Sequence, residues 1–331
     1  MSGKHLTDNL SVIVILRGFA AIAVLLYHYI CTVSGFFDYN KFLIEIFHYG
    51  AKGVQLFFVI SSVVIPIMLL KMNYSTNQFY SYMKLRLVRI YPPFFITCFI
   101  LFIYWYLRHK FMNGGFLPNI TTLLSNLLFI APFFNERWLN NIFWTLSVEI
   151  GYYVFIGLFF IFALKSLPYR ILFYLSFYLL NLTTLFYSST HLFNYWSIYF
   201  LPGIIYVLWN NNKIKLNEFL IVISITSFFI VQYYGRIDYL ILILTLFFIE
   251  IIPNYSNQLF TFLGKISYSL YLTHIFTGIA IINIFSKYTN TIIEKSLLLS
   301  ISIVFAILFS YLYYKYIELP SHLLSKKYKT N

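Results

Sequence analysis

Residues 10–30, LSVIVILRGFAAIAVLLYHYI, decide the fold. The run is long and apolar enough to cross a bilayer as a helix rising about 1.5 Å per residue. It nevertheless carries Arg17 inside it and His28 near its far end. Eleven residues at roughly 100° each come back to within about 20° of the start, so Arg17 and His28 share one helix face, about 16 Å apart. Ala20, Ala21 and Val24 lie on or beside that face and are small enough for close helix packing. An arginine within a bilayer costs from about 2.5 to well over 10 kcal/mol, and it faces a partner or a watered cavity unless it snorkels to an interface. A polar groove lined by this helix is the expectation. The alternative puts Arg17 at the interface and His28 at headgroup depth.

Working outward, the rest of the chain has the same character. Of 331 residues, 60% are hydrophobic, 22% aromatic and only 10% charged, where a soluble chain carries about 25% charged residues. This composition predicts an all-α, polytopic integral membrane protein forming a single domain over residues 1–331. Ten transmembrane helices are expected, at about 11–30, 53–71, 91–107, 142–164, 169–187, 195–209, 219–234, 237–252, 266–285 and 296–317. The first is too long for a signal-peptide core and is followed by further spans, so it counts as a helix. The formal charge of +13 is scattered between apolar runs, which argues against a nucleic-acid partner and for the orienting effect of loop cations. An even number of spans, with more Lys and Arg on the segments next to the termini's side, places both termini in the cytoplasm. Cys31 and Cys98 lie in or beside apolar runs and suggest no disulfide framework. The outer loop of about 108–141 is the longest, and its Leu123–Ile130 run is expected to lie along the membrane or re-enter it.

Three clusters carry chemistry. Lys84, Arg86 and Arg89 precede Pro92-Pro93, which is expected to open the next helix. The two arginines are helical neighbours suited to bidentate phosphate contacts, or to ordinary anchoring against anionic lipid. Glu149, in WTLSVEIGYYV (144–154), is a carboxylate inside a span. It must be paired, hydrogen-bonded or protonated, whether to neutralise Arg17 or to orient an imidazole. Ser267, Tyr271, His274 and Gly278 recur at helical spacing as one polar stripe, with His274 near mid-membrane. A buried histidine of this kind serves packing as readily as catalysis. Glu318 and Pro320, in IELP, are expected to stop the last helix. Metal-ligand spacing, a phosphate-binding Gly loop and a nucleophile elbow are all missing from the sequence, so no metal or bound cofactor is expected.

Taken in order, ILRGFAAIAVLLYHY (15–29), GVQLFFVISSVVI (53–65), KLRLVRIYPPFF (84–95), SNLLFIAPFF (125–134), WTLSVEIGYYV (144–154), GKISYSLYLTH (264–274) and IELP (317–320) resemble the acyltransferase-3 family of integral membrane acyltransferases. The resemblance implies an O-acetyltransferase that moves an acyl group, most simply acetyl, from cytoplasmic acetyl-CoA to a hydroxyl of an extracytoplasmic glycan such as O-antigen, capsule or exopolysaccharide. It implies a place in the bacterial inner membrane. It also implies His28, Arg17 and Glu149 as the catalytic set and Arg86 and Arg89 as acyl-CoA contacts, to which the basic cluster adds Lys84 and the polar stripe adds Tyr271, His274 and Ser267 as candidate substrate contacts. Two positions differ: Ser62 stands where the family often has Gly, which suggests altered packing in the second span, and Val14 stands where many members have Asp. No esterase domain is appended, as in stand-alone members. A secondary transporter or flippase of a glycan precursor is the competing reading, against which stands the lack of an internal repeat.

Overall fold

The computed structural model describes residues 11–33, 36–37, 41–111, 115–185 and 192–327. Among these residues every regular element is helical. In chain order they are α1 (Ser11–Cys31), α2 (Lys41–His48), α3 (Gly53–Lys71), α4 (Phe79–Phe111), α5 (Ile120–Leu127), α6 (Phe143–Ala163), α7 (Leu167–Leu182) and α8 (Phe193–Asn210). Then follow α9 (Leu216–Tyr233), α10 (Arg236–Ile251), α11 (Gln258–Lys265), α12 (Ser267–His274), α13 (Ala280–Phe285), α14 (Ile292–Tyr313) and α15 (Leu319–Lys327). Each of the ten expected spans coincides with a helix. Seven described helical stretches are long and apolar enough to cross a membrane on their own. The other three, α7, α8 and α10, have 16, 18 and 16 residues. The chain is an all-α, polytopic membrane protein.

The chain packs as two compact units. The first comprises Met1–Arg17, Val54–Met83 and Ser147–Thr261. Its centre is α8, in which every residue from Trp196 to Leu208 is buried. A helix apolar on all sides is one enclosed by others, and α8 fits that position. Tyr152 stacks on Phe200 at 4.1 Å, and Phe58 packs against Trp196 and Phe200. Ser62 meets Gly203 on α8, where an added Cβ would lie 1.8 Å from the Ser62 Oγ. The room that Ser62 needs is therefore supplied by Gly203. At one edge, Arg170 donates through Nε and Nη2 to both oxygens of Glu218, each at 2.7 Å, joining α7 to α9.

The second unit comprises Gly18–Gly53, Lys84–Leu146 and Phe262–Asn331. It corrects two sequence expectations. α4 runs unbroken through Pro92 and Pro93 instead of starting there. The prolines cannot donate to the carbonyls of Val88 and Arg89, and the stretch is gripped from outside: Tyr313 donates to the Pro93 carbonyl at 2.6 Å and Tyr268 to that of Ile90 at 2.8 Å. The last helix does not stop at Glu318 and Pro320. A π-helical turn, Tyr314–Glu318, absorbs the irregularity and α15 continues to Lys327. In the outer loop, α5 covers much of the Leu123–Ile130 run and a 3₁₀ turn follows at Ala131–Phe134. Asn126 fixes it by donating to the carbonyls of Thr122 and Arg137 at 2.8 and 2.9 Å, and by accepting from the Leu139 amide at 2.9 Å.

Candidate active site

The second unit assembles the residues around His28. α12 begins against a carboxylate: Glu318 is buried, and its Oε2 accepts from the amide and hydroxyl of Ser269 at 3.1 and 2.6 Å. The first amides of a helix lack internal acceptors and favour negative charge, so Glu318 anchors the N-terminal end of α12. Ser267 is spent in the same way, donating to the Gly264 carbonyl at 2.9 Å. Thr273 and Ser310 join α12 to α14 through a 2.8 Å hydroxyl pair.

The helix so anchored ends at His274, and a π-helical turn, Ile275–Ile279, follows at once. Such turns break the regular ladder and are frequent at functional sites. Here the carbonyl of His274 accepts from the phenol of Tyr29 at 2.8 Å. Gly278 makes that approach possible, because a Cβ there would lie 1.8 Å from the Tyr29 hydroxyl. The glycine of the polar stripe is thus a seat for Tyr29. The net effect is to fix His274 at one side of α1 and His28 opposite it.

The two imidazoles meet. His274 Nε2 lies 3.1 Å from His28 Nδ1. His274 Nδ1 lies 3.0 and 2.9 Å from the carbonyls of Leu270 and Tyr271. Carbonyls only accept, so Nδ1 of His274 holds the proton and Nε2 of the neutral ring is an acceptor. His28 Nδ1 is also 2.9 Å from the Val24 carbonyl and must be its donor. Both assignments agree, and they leave the lone pair of His28 on Nε2, which no described residue engages. That is the arrangement of an oriented general base. Tyr271 stands one turn before His274, with 6.0 Å between ring centroids, and its hydroxyl pairs with Thr145 Oγ1 at 2.8 Å.

The remaining sequence candidates fall as follows. Arg17 is half-buried on α1, which runs unbroken from it to His28, so the stagger of about three turns holds. Glu149 lies on α6 in the first unit, where its Oε1 accepts from Ser61 at 2.9 Å and from the phenol of Tyr153. The imidazole's orienting partner is a second histidine, and Glu149 is held by hydroxyls. On α4, Arg86 is buried while Lys84 and Arg89 are half-buried. Sequence reasoning missed Tyr29, the pairing of Thr145 with Tyr271 and the anchoring task of Glu318. Tyr29 had a signal in being the neighbour of His28; the pairing of Glu318 with Ser269 had none.

The geometry gives a helical membrane protein with two imidazoles paired inside one unit. A family model for an acyltransferase domain, acyltransferase-3, matches residues 12–315, and the chain belongs to that family. It is a membrane acyltransferase. No curated protein and no solved structure matches it.

Proposed function

We propose that this acyltransferase moves an acyl group, most simply acetyl, from acyl-CoA to a sugar hydroxyl of an extracytoplasmic glycan. The observation that carries the reading is His28, with Nδ1 committed to Val24 and His274 and Nε2 engaged by no described residue. A sugar hydroxyl is a poor nucleophile at neutral pH, and a positioned base that removes its proton contributes about 10²–10⁴-fold. As the hydroxyl oxygen attacks the thioester carbonyl, Nε2 takes its proton. The C–S bond then breaks, and the thiolate of CoA leaves and takes the proton back from the imidazolium. Arg17 lies on the donor's path along α1. Lys84, Arg86 and Arg89 hold the phosphates, for which guanidinium groups are suited. Glu149 serves as a charge partner within its hydroxyl cradle. Both termini face the cytoplasm of a bacterial inner membrane, on the excess of Lys and Arg beside them.

Thiol release from acetyl-CoA by purified protein, with and without a bacterial surface glycan, tests this. Release should depend on the glycan, and His28→Ala should lower kcat by about 10²–10⁴. Arg89→Ala should raise KM for acetyl-CoA by roughly 10- to 100-fold with less effect on kcat. Glycan-independent release would remove the acceptor assignment. Full turnover in His28→Ala would remove the base.

A further inference from the structure

The segment after α1 turns back across it. An added Cβ on Gly50 would lie 2.3 Å from the carbonyl oxygen of Ala23, and one on Gly53 would lie 2.7 Å from that of Ala20. Two glycines three residues apart thus rest on two alanines three residues apart, and the backbone of Gly50–Gly53 lies directly on that of α1. Small-residue packing of this kind sets a register that larger side chains would forbid.

The register places a row of rings beside the base. His48 meets Tyr27 edge-on, with centroids 5.8 Å apart and planes at 78°. Tyr27 meets His28 edge-on at 5.0 Å and 61°. His48 is exposed and Tyr27 half-buried. Neither the phenol of Tyr27 nor the imidazole of His48 makes a hydrogen bond among the described residues. A half-buried phenol ordinarily finds a partner, so the Tyr27 hydroxyl is the group that stands ready for a ligand, with the exposed His48 ring beside it. Here an aromatic surface and two uncommitted polar groups run up to His28, whose open Nε2 needs a hydroxyl brought to it.

We propose that Tyr27 and His48 form the acceptor subsite, where a pyranose ring stacks its C–H face on the aromatic row and presents a hydroxyl to His28. A pyranose has an apolar face of axial hydrogens and an equatorial belt of hydroxyls, which matches rings carrying hydrogen-bonding edges. Recognition of this sort fixes orientation with few polar contacts. The subsite rests on the proposed transfer to a glycan and adds the residues that select a sugar over other alcohols.

The test compares acetyl transfer from acetyl-CoA to a panel of methyl pyranosides and their oligosaccharides with transfer to glycerol, a ring-free polyol. Tyr27→Ala and His48→Ala should each raise the pyranoside KM about 3- to 10-fold, the worth of an aromatic contact. The KM for acetyl-CoA should move less, and the preference for pyranoside over glycerol should fall by the same factor. Tyr27→Trp, which keeps a ring, should restore most of the preference. Should Tyr27→Ala fail to fold, the exposed His48 carries the comparison. Pyranoside transfer with unchanged KM and preference in a folded variant overturns the subsite alone. Wild-type protein that acylates glycerol but no pyranoside or oligosaccharide overturns the glycan reading and the subsite with it.

Discussion

Replacing His274 measures what the second imidazole does for the first. In His274→Leu the 3.1 Å contact from His28 Nδ1 is lost, but the 2.9 Å contact to the Val24 carbonyl remains. The ring therefore keeps one of its two acceptors. A hydrogen bond of this type is worth about 0.5–1.5 kcal/mol net, so kcat should fall about 2- to 13-fold, well short of the roughly 10²–10⁴ expected for His28→Ala. His274→Gln returns an acceptor oxygen to the position and should recover most of the loss. The assay is steady-state thiol release from acetyl-CoA on monodisperse protein, with thermal melting of each variant alongside. If His274→Leu is as inactive as His28→Ala while melting normally, the second ring handles the proton itself and the positioning argument fails. If His274→Leu is fully active, Val24 alone fixes the tautomer.

Glu318→Leu would leave the buried amide and hydroxyl of Ser269 without their acceptor, at about 1–3 kcal/mol each, so its melting temperature should drop clearly while Glu318→Gln loses less; equal melting of all three would show that the carboxylate anchors nothing. Gly278→Ala drives a methyl into the Tyr29 hydroxyl and should destabilise by about 1–3 kcal/mol, read in the same melts, with acyl transfer falling because His274 shifts. Glu149→Gln keeps the shape held by Ser61 and Tyr153 but removes the charge, so activity should fall while membrane yield holds. Unchanged activity of Glu149→Gln across pH would leave the carboxylate no electrostatic task.

The sequence by itself determined the class of this protein. Its apolar runs of bilayer length, broken at Asn210–Asn212 and Pro253, located a helix at each expected span, because helix formation in lipid is forced locally by unsatisfied backbone groups. It also showed that Arg17 is costly to keep within a span and shares a helix face with His28. Local pattern failed at Pro92-Pro93 and at Glu318–Pro320, where prolines suggest ends but tyrosines from neighbouring helices and a π-helical turn carry the chain through. Only the tertiary structure decided that His274, 246 residues from His28, is its partner, and that Ser61, 88 residues away, joins the neighbouring Tyr153 in holding Glu149. Beside the histidine pair, Gly278 admits the Tyr29 hydroxyl to the His274 carbonyl, a close approach that a larger residue would forbid. Such a glycine reads in the chain as an interruption and acquires its meaning from the atom that comes to rest against it.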